Sequence, residues 1–423
     1  MKINQWTLGL AAVGLVSLAS VARAEEKSVP LLTALSSTTI SGYVDTSLNW
    51  KPGTGNQLPG ARQFDGTGKQ DSFNVNVVSL SLDKPLDEGQ WSAGYHVQAI
   101  LGPDIAARGT RMINHTVAPF GAAGVQAGDI ALHEAYVALR APVGNGLDFK
   151  IGQWVTPIGY EGFDGYKNPN YSRSYAFTAL EPATHVGVQA NYVISEAVSI
   201  MGGVANSYSA PIDSKAATES SKTYITTITL TAPQSMGALK GSSLTLGYIN
   251  GQPDASSGST ERIENFYAGA TLATPLAGLT IGAAYDYQEG APIFDTGTGA
   301  LAAGTSHGWA AAAYASFQAT EKLKFNLRGE YITGSPGVLG YGAPATTFTI
   351  FGPVTSAGVN NEMLSVTATA DYALWQNVLT RAEARWDHEL NGNRPFGTPT
   401  AGSNSGGDNH NALTFALNVV YKF

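Results

Sequence analysis

The chain has 423 residues, 49 of them Gly, with 10 % aromatic residues, no Cys, 13 % charged residues and a formal charge of −8. That charge content is about half the ~25 % usual for soluble domains, so a large part of the surface must meet something other than water. The lack of Cys excludes disulfide staples and thiolate metal sites, and the acidic balance argues against a nucleic-acid partner.

Lys2 precedes an apolar stretch, Leu8 to Ala19, that is too short for a stop-transfer helix. Ala22-Arg23-Ala24 then offers the small-x-small pattern of a signal-peptidase site. Residues 1–24 are therefore expected to be a signal peptide, 25–37 a short periplasmic segment and 38–423 one folded unit. No later segment approaches the roughly 18 apolar residues of a membrane-spanning helix, which leaves the outer membrane open as a destination.

From residue 38 onward, strand candidates fall at 38–50, 72–83, 90–101, 129–141, 147–156, 184–194, 197–206, 222–232, 241–250, 261–273, 278–288, 307–318, 322–333, 361–373, 377–387 and 411–423. Long connectors alternate with short ones along this series. An all-β transmembrane antiparallel barrel of about 16 strands, with long extracellular loops and short periplasmic turns, predicts that rhythm. Leu323, Phe325, Leu327 and Tyr331 share one face of their strand, and Lys324, Asn326, Arg328 and Glu330 share the other. Arg381, Glu383, Arg385 and Asp387 likewise oppose Thr380, Ala382, Ala384 and Trp386. Strand 72–83 breaks parity at Val77-Val78, the mark of a β-bulge. Trp50, Trp91, Tyr285, Tyr287, Trp386 and Tyr421 lie near strand ends on the apolar parity, as interfacial girdles do. The final strand, Asn411 to Phe423, alternates strictly and stops on an aromatic ring.

About sixteen strands imply an aqueous pore, because barrel diameter grows with strand number. The third long connector, 157–183, is where a porin of this size would fold a loop inward, and it carries Glu161, Asp164, Glu181, Lys167 and Arg173. Facing walls offer Glu134, Arg140, Lys150, Arg328, Glu330, Arg381, Glu383 and Arg385 on polar parities. Together these define an expected constriction with a transverse field and modest ion preference. The alternative for any one of them is a wall charge that merely pairs with a neighbour.

The chain resembles the OmpL-like family of β-barrel porins. The likeness rests on S-G-Y-V-D-T-S from Ser41, L-D-K-P-L-D from Leu82, A-Y-V-A-L-R-A-P-V-G-N-G-L-D-F-K from Ala135, N-P-N-Y-S-R-S-Y-A-F from Asn168 and E-P-A-T-H-V-G from Glu181. These segments lie in the first half; the second half is similar in strand rhythm and terminal Phe. The resemblance implies an outer-membrane channel and brings no catalytic residues or substrate with it; no cofactor is expected.

The expected activity is passive diffusion of ions and small hydrophilic solutes, with outer-membrane lipid as surroundings. A homotrimer is expected by analogy with porins of this size. Two alternatives stay open: a sugar-type channel with a stacking slide of Tyr160, Phe163, Tyr166, Tyr171, Tyr175 and Phe177, and a barrel that only anchors partner-binding loops. An enzyme is not expected. The one feature favouring a lipid hydrolase is His133, read on the lipid-facing parity near the outer end of its strand. No His pair has metal-ligand spacing, and Gly66-Thr67-Gly68-Lys69 lacks the length of a phosphate loop.

Overall fold

A computed structural model describes residues 37–87, 91–108, 130–209, 215–255, 259–294, 301–336, 338–339, 360–399 and 406–423. The expected signal peptide and residues 25–36 lie outside the described residues. Sixteen strands follow in order: β1 Thr39–Trp50, β2 Ser72–Lys84, β3 Ser92–Leu101, β4 Ile130–Ala141, β5 Leu147–Val155, β6 Thr184–Ser195, β7 Val198–Ala205, β8 Thr223–Thr231, β9 Ser243–Gly251, β10 Ile263–Ala273, β11 Leu279–Phe294, β12 Leu301–Gln318, β13 Leu323–Gly334, β14 Asn361–Trp375, β15 Val378–Glu389 and β16 Asn411–Lys422. Each pairs antiparallel with its sequence neighbours, and β1 pairs with β16 to close the barrel. Closure leaves no free sheet edge, which is what a strand-built wall needs inside lipid.

The alternation read from the sequence is the alternation of the wall. On β13, Phe325 and Leu327 are exposed on the outside, while Asn326, Arg328 and Glu330 are buried inside. On β16, Leu413, Leu417, Val419 and Tyr421 face out, and Thr414, Asn418 and Val420 face in. Trp50, Trp91, Tyr285, Trp386 and Tyr421 are all exposed on the outer face, as a girdle requires.

Two bulges re-aim side chains. Asp45 pairs with Val77 and Thr46 with Val75, so Asn76 is an extra residue and both Asn76 and Val77 turn inward. This is the parity break seen at Val77-Val78. In β4, Gln98 pairs with Glu134 and Ala99 with Leu132, which leaves His133 as the inserted residue. His133 is therefore buried inside the barrel, not on the lipid face. A single inserted residue flips the parity of everything beyond it, and simple alternation could not place it.

The connector expected at 289–306 is mostly strand. β11 and β12 run on past the rim through Ala291↔Ser306, Pro292↔Thr305 and Phe294↔Leu301. The register shift between Glu289 and Ala291 falls at Gly290, whose φ of +86° suits glycine. At the seam, Gly42 and Phe423 exchange backbone hydrogen bonds of 2.9 and 3.0 Å. A Cβ on Gly42 would stand 2.6 Å from the Phe423 ring, so the missing side chain makes room for that ring.

The core lies inside the barrel. Loop 51–71 (L1) and loop 156–183 (L3) both fold into it, L3 carrying a short helix α1, Tyr175–Ala179, capped by the Ser174 hydroxyl on the Phe177 N–H. One inner apolar cluster joins Leu58, Ala61, Tyr175, Ala179 and Leu180 to Ile332, Met363 and Phe396. A second joins Ile158 and Tyr208 to Met201, Ile225, Ile249, Tyr267 and Tyr314. A third joins Phe64, Phe163 and Phe177 to Tyr43, Val77 and Ile100.

Candidate functional site

Seven of the twelve expected constriction charges meet at L3, but as tethers. Arg328 donates to Glu161 at 2.7 Å, both side chains fully buried, and to the Ser172 carbonyl at 2.8 Å. Glu330 accepts the Tyr175 and Ala176 backbone N–H groups, both at 2.8 Å, at the start of α1. Glu383 accepts those of Tyr171 and Ser172 at 2.6 and 3.0 Å. Arg381 donates to the Gly165 carbonyl at 2.9 Å and Arg385 to the Arg173 carbonyl at 2.7 Å. Arg173 folds back on its own loop, donating to the Tyr171 and Phe163 carbonyls at 2.7 and 2.6 Å. Glu161 also accepts the Ser174 N–H at 2.7 Å.

The physical reason is accounting of polar groups. A loop packed inside a barrel takes its backbone N–H and C=O groups out of water, and each needs a partner. Charged side chains on β13 and β15 supply them, as the stronger charge-assisted bonds. The opposed charges expected to face each other across water instead touch the loop.

L1 extends the cluster. Arg62 forms ion pairs with Asp65 and with Asp387 of β15. Asp387 also accepts from Arg385 at 2.9 Å. Arg62, Arg173, Arg328, Arg381 and Arg385 thus stand among Asp65, Glu161, Glu330, Glu383 and Asp387, five formal charges of each sign. Burial alone would raise the Asp65 carboxyl, but Arg62 beside it holds it down to about 2. Asp65 therefore binds its proton less readily folded than unfolded. The stability it lends is complete above the ordinary carboxylate range and is lost progressively as pH falls from there through about 2. Hydrogen exchange over residues 57–70, corrected for intrinsic rate, is expected to show the same protection at about pH 5 as at pH 7 and to weaken only below about pH 4; loss of protection by pH 5 would contradict it.

The other five expected residues stand outside this cluster, Asp164 and Lys167 on L3 itself and the rest on the wall. Asp164 accepts from Tyr43 and Gln98, each at 3.1 Å, and from Lys167 at 2.8 Å. Lys167 is the most open of the set, with 47 % of its side chain exposed. Glu134 lies 3.6 Å from His96 on the β3–β4 wall, and Lys150 sits 4.6 Å above the Tyr136 ring. Arg140 pairs with Asp148 through two 2.6 Å bonds beside the short turn after β4.

His133 hydrogen-bonds Gln98 at 2.7 Å and leans on Phe163 at 4.3 Å, so it supports L3. Of the six rings expected to form a slide, Phe163, Tyr171, Tyr175 and Phe177 are buried against the wall, leaving Tyr160 and Tyr166 partly open. Sequence reasoning missed L1 altogether. Its signal was present as Arg62 and Asp65, opposite charges three apart inside a Gly-rich connector.

A closed sixteen-strand antiparallel barrel with an apolar outer wall and two loops folded into its lumen defines the porin class of outer-membrane proteins. Residues 37–423 match the family described as "Putative beta-barrel porin-2, OmpL-like", and the chain belongs to that family. Among solved structures it is similar in fold to an anion-selective porin from Comamonas acidovorans (TM-score 0.53, 11 % identity, 92 % of this chain and 99 % of that one). It is similar also to Salmonella typhi OmpF solved in complex with daunomycin (0.53, 12 %, 91 % and 97 %) and to the trimer form of in-vitro folded Vibrio cholerae OmpT (0.51, 12 %, 91 % and 99 %). No curated protein matches it.

Proposed function

We propose that this outer-membrane porin is a narrow passive channel for ions and small hydrophilic solutes, with its long loops outside the cell and its short turns in the periplasm. The observation that carries this reading is the loop-filled but polar-lined lumen: the wall is closed, L3 crosses its interior, and lumen-facing Lys150, Asn191, Thr229, Thr245 and Lys324 stay partly exposed toward the short-turn rim. The balanced tether cluster gives no strong sign preference, since its charges cancel locally. A homotrimer belongs to the same reading, supported by the trimer form of the Vibrio cholerae neighbour. An enzymatic role is not part of it: His133, the one residue that favoured hydrolysis, is turned inward and engaged with Gln98.

Planar-bilayer recording of the refolded protein tests the proposal. Steady unitary steps, smaller than those of an unobstructed sixteen-strand barrel and with K⁺/Cl⁻ permeability within about threefold of unity, are expected. Absence of any current from protein shown to be folded by its heat-modifiable migration would transfer the weight to a barrel that only anchors its loops.

A further inference from the structure

L1 and L3 are stacked along the barrel axis. The inward residues of β15, taken from its short turn toward its long connector, hold the two loops in order. Arg381, Glu383 and Arg385 bind the Gly165 carbonyl, the Tyr171 and Ser172 N–H groups and the Arg173 carbonyl of L3, and Asp387 then binds Arg62 of L1. L1 therefore lies over L3 on the long-loop side. Leu58 and Ala61 join Tyr175 and Ala179 of α1 in one apolar cluster, and the Phe64 ring stands 6.0 and 5.8 Å from those of Phe163 and Phe177.

The two loops are attached differently. L3 gives many of its backbone groups to charged side chains of β13 and β15, whereas L1 satisfies its own. The Leu58 N–H donates to the Thr67 hydroxyl at 3.0 Å, the Arg62 N–H to the Pro59 carbonyl at 2.9 Å and the Lys69 ammonium to the Phe64 carbonyl at 2.8 Å. Two further bonds go to other connectors, from the Gln57 N–H to the Gly397 carbonyl and from the Ala61 N–H to the Leu339 carbonyl, each at 3.0 Å. Among the described residues, no backbone group of residues 55–66 bonds a strand. The stem is closed by the bridge between Asn49 and Gln70 and by the Lys51 N–H on the Asp71 carboxylate at 3.3 Å. A compact loop with joined ends and its own internal packing can move as one body.

Arg62 is the side chain of residues 55–66 that reaches the wall by polar contact, pairing with Asp387 and donating to the Thr414 hydroxyl at 3.2 Å. It is shared with Asp65 of its own loop, and Asp387 is shared with Arg385 at 2.9 Å. When L1 lifts, Arg62 leaves with Asp65 and Asp387 stays with Arg385, so neither side strands a buried charge. The contact can break and re-form.

We propose that L1 is a lid in series with L3, closing the long-loop side of the lumen, and that Arg62 is the positioning residue whose release lets L1 lift while L3 stays seated. The inference rests on the porin reading and deepens it: passage is governed by two layers, one wired to the wall and one latched to it.

Thiol labelling and planar-bilayer recording in potassium chloride, both on the full-length protein, test the lid. Ala61→Cys, buried in the closed lid, is expected to label at least about tenfold faster when Arg62→Met is added, because Asp65 then lacks its guanidinium and favours the hydrated, lifted loop. Unitary conductance is expected to rise about twofold in Arg62→Met, less than when L3 itself is removed. Arg62→Lys keeps the charge and should stay near wild type on both readouts. Replacing residues 57–66 with a Gly-Ser link removes lid and latch together and is expected to give the same rise, which keeps the test open should Arg62→Met fail to fold. Equal labelling with and without Arg62, or unchanged conductance in the folded variants, would overturn the inference and leave the porin reading standing. Folded protein that carries no current with or without L1 would remove the porin reading itself.

Discussion

Replacing residues 160–180 with a short Gly-Ser link is expected to raise single-channel conductance severalfold, the largest change any alteration of this protein should give. The barrel wall does not depend on the loop for closure, because every strand pairs with two neighbours and β1 with β16. L3 instead occupies the lumen with Phe163, Tyr171, Tyr175 and Phe177, all buried. Sixteen strands without an interior filling leave an aqueous channel. Arg328, Glu330, Arg381, Glu383 and Arg385 would lose their loop partners but regain water, so their charges remain solvated. Heat-modifiable migration of the shortened protein separates a wider pore from a failed fold. Unchanged conductance in folded protein would show that L3 is not the constriction.

The second large effect is expected at the Glu161–Arg328 pair. Both side chains are fully buried, so Arg328→Met leaves a carboxylate without its main counter-charge, which costs on the order of 3–5 kcal/mol. A cost of that size weakens the seating of L3, so the loop is expected to open locally more often while the barrel stays closed. The chain has no Cys, so a single Ala176→Cys reports cleanly. Ala176 is buried and its N–H is held by Glu330. Labelling by a small thiol reagent is expected to accelerate about a hundredfold or more in the Arg328→Met background. Adding Glu161→Gln should return most of the protection, because a neutral amide no longer demands the guanidinium. Equal labelling rates with and without Arg328 would show that the pair is incidental to the loop's position.

Much of the wall was legible in the sequence because a strand's two faces meet different media. β13 and β15 read correctly residue by residue, since lipid on one side and polar groups on the other enforce strict alternation. The parity break in β2 was visible because it lay within a run of apolar residues. The bulge at His133 was not, because β4 is mixed there and an inserted polar residue looks like an ordinary step. The continuation of β11 and β12 past the rim escaped notice for a different reason: with no lipid outside, nothing forces alternation, and backbone pairing with one Ser306 hydroxyl bond to the Ala291 carbonyl holds the two strands together.

The candidate site was legible in membership more than in role. Inward parity identified Arg328, Glu330, Arg381, Glu383 and Arg385, but parity says only that a side chain faces the lumen, not what fills it. Their partners are mostly backbone groups of L3, and a backbone carries no residue-specific signal. L1 stayed hidden because its Arg62–Asp387 contact joins segments far apart in the chain.

The pairing of Gly42 with Phe423 sets a kinetic order on assembly. Every other strand contact joins elements adjacent in sequence and can form by closing only the connector between them, at modest entropic cost. The seam joins the two ends of the folded segment, so it can form only after the remaining fifteen pairings have curved the sheet back on itself. Until then β1 and β16 each present a row of unpaired backbone groups, in the lipid where such edges are least tolerated. The last contact to form is thus the one whose delay is most hazardous, and the ring of Phe423 seated on Gly42 stands at the step that ends that exposure.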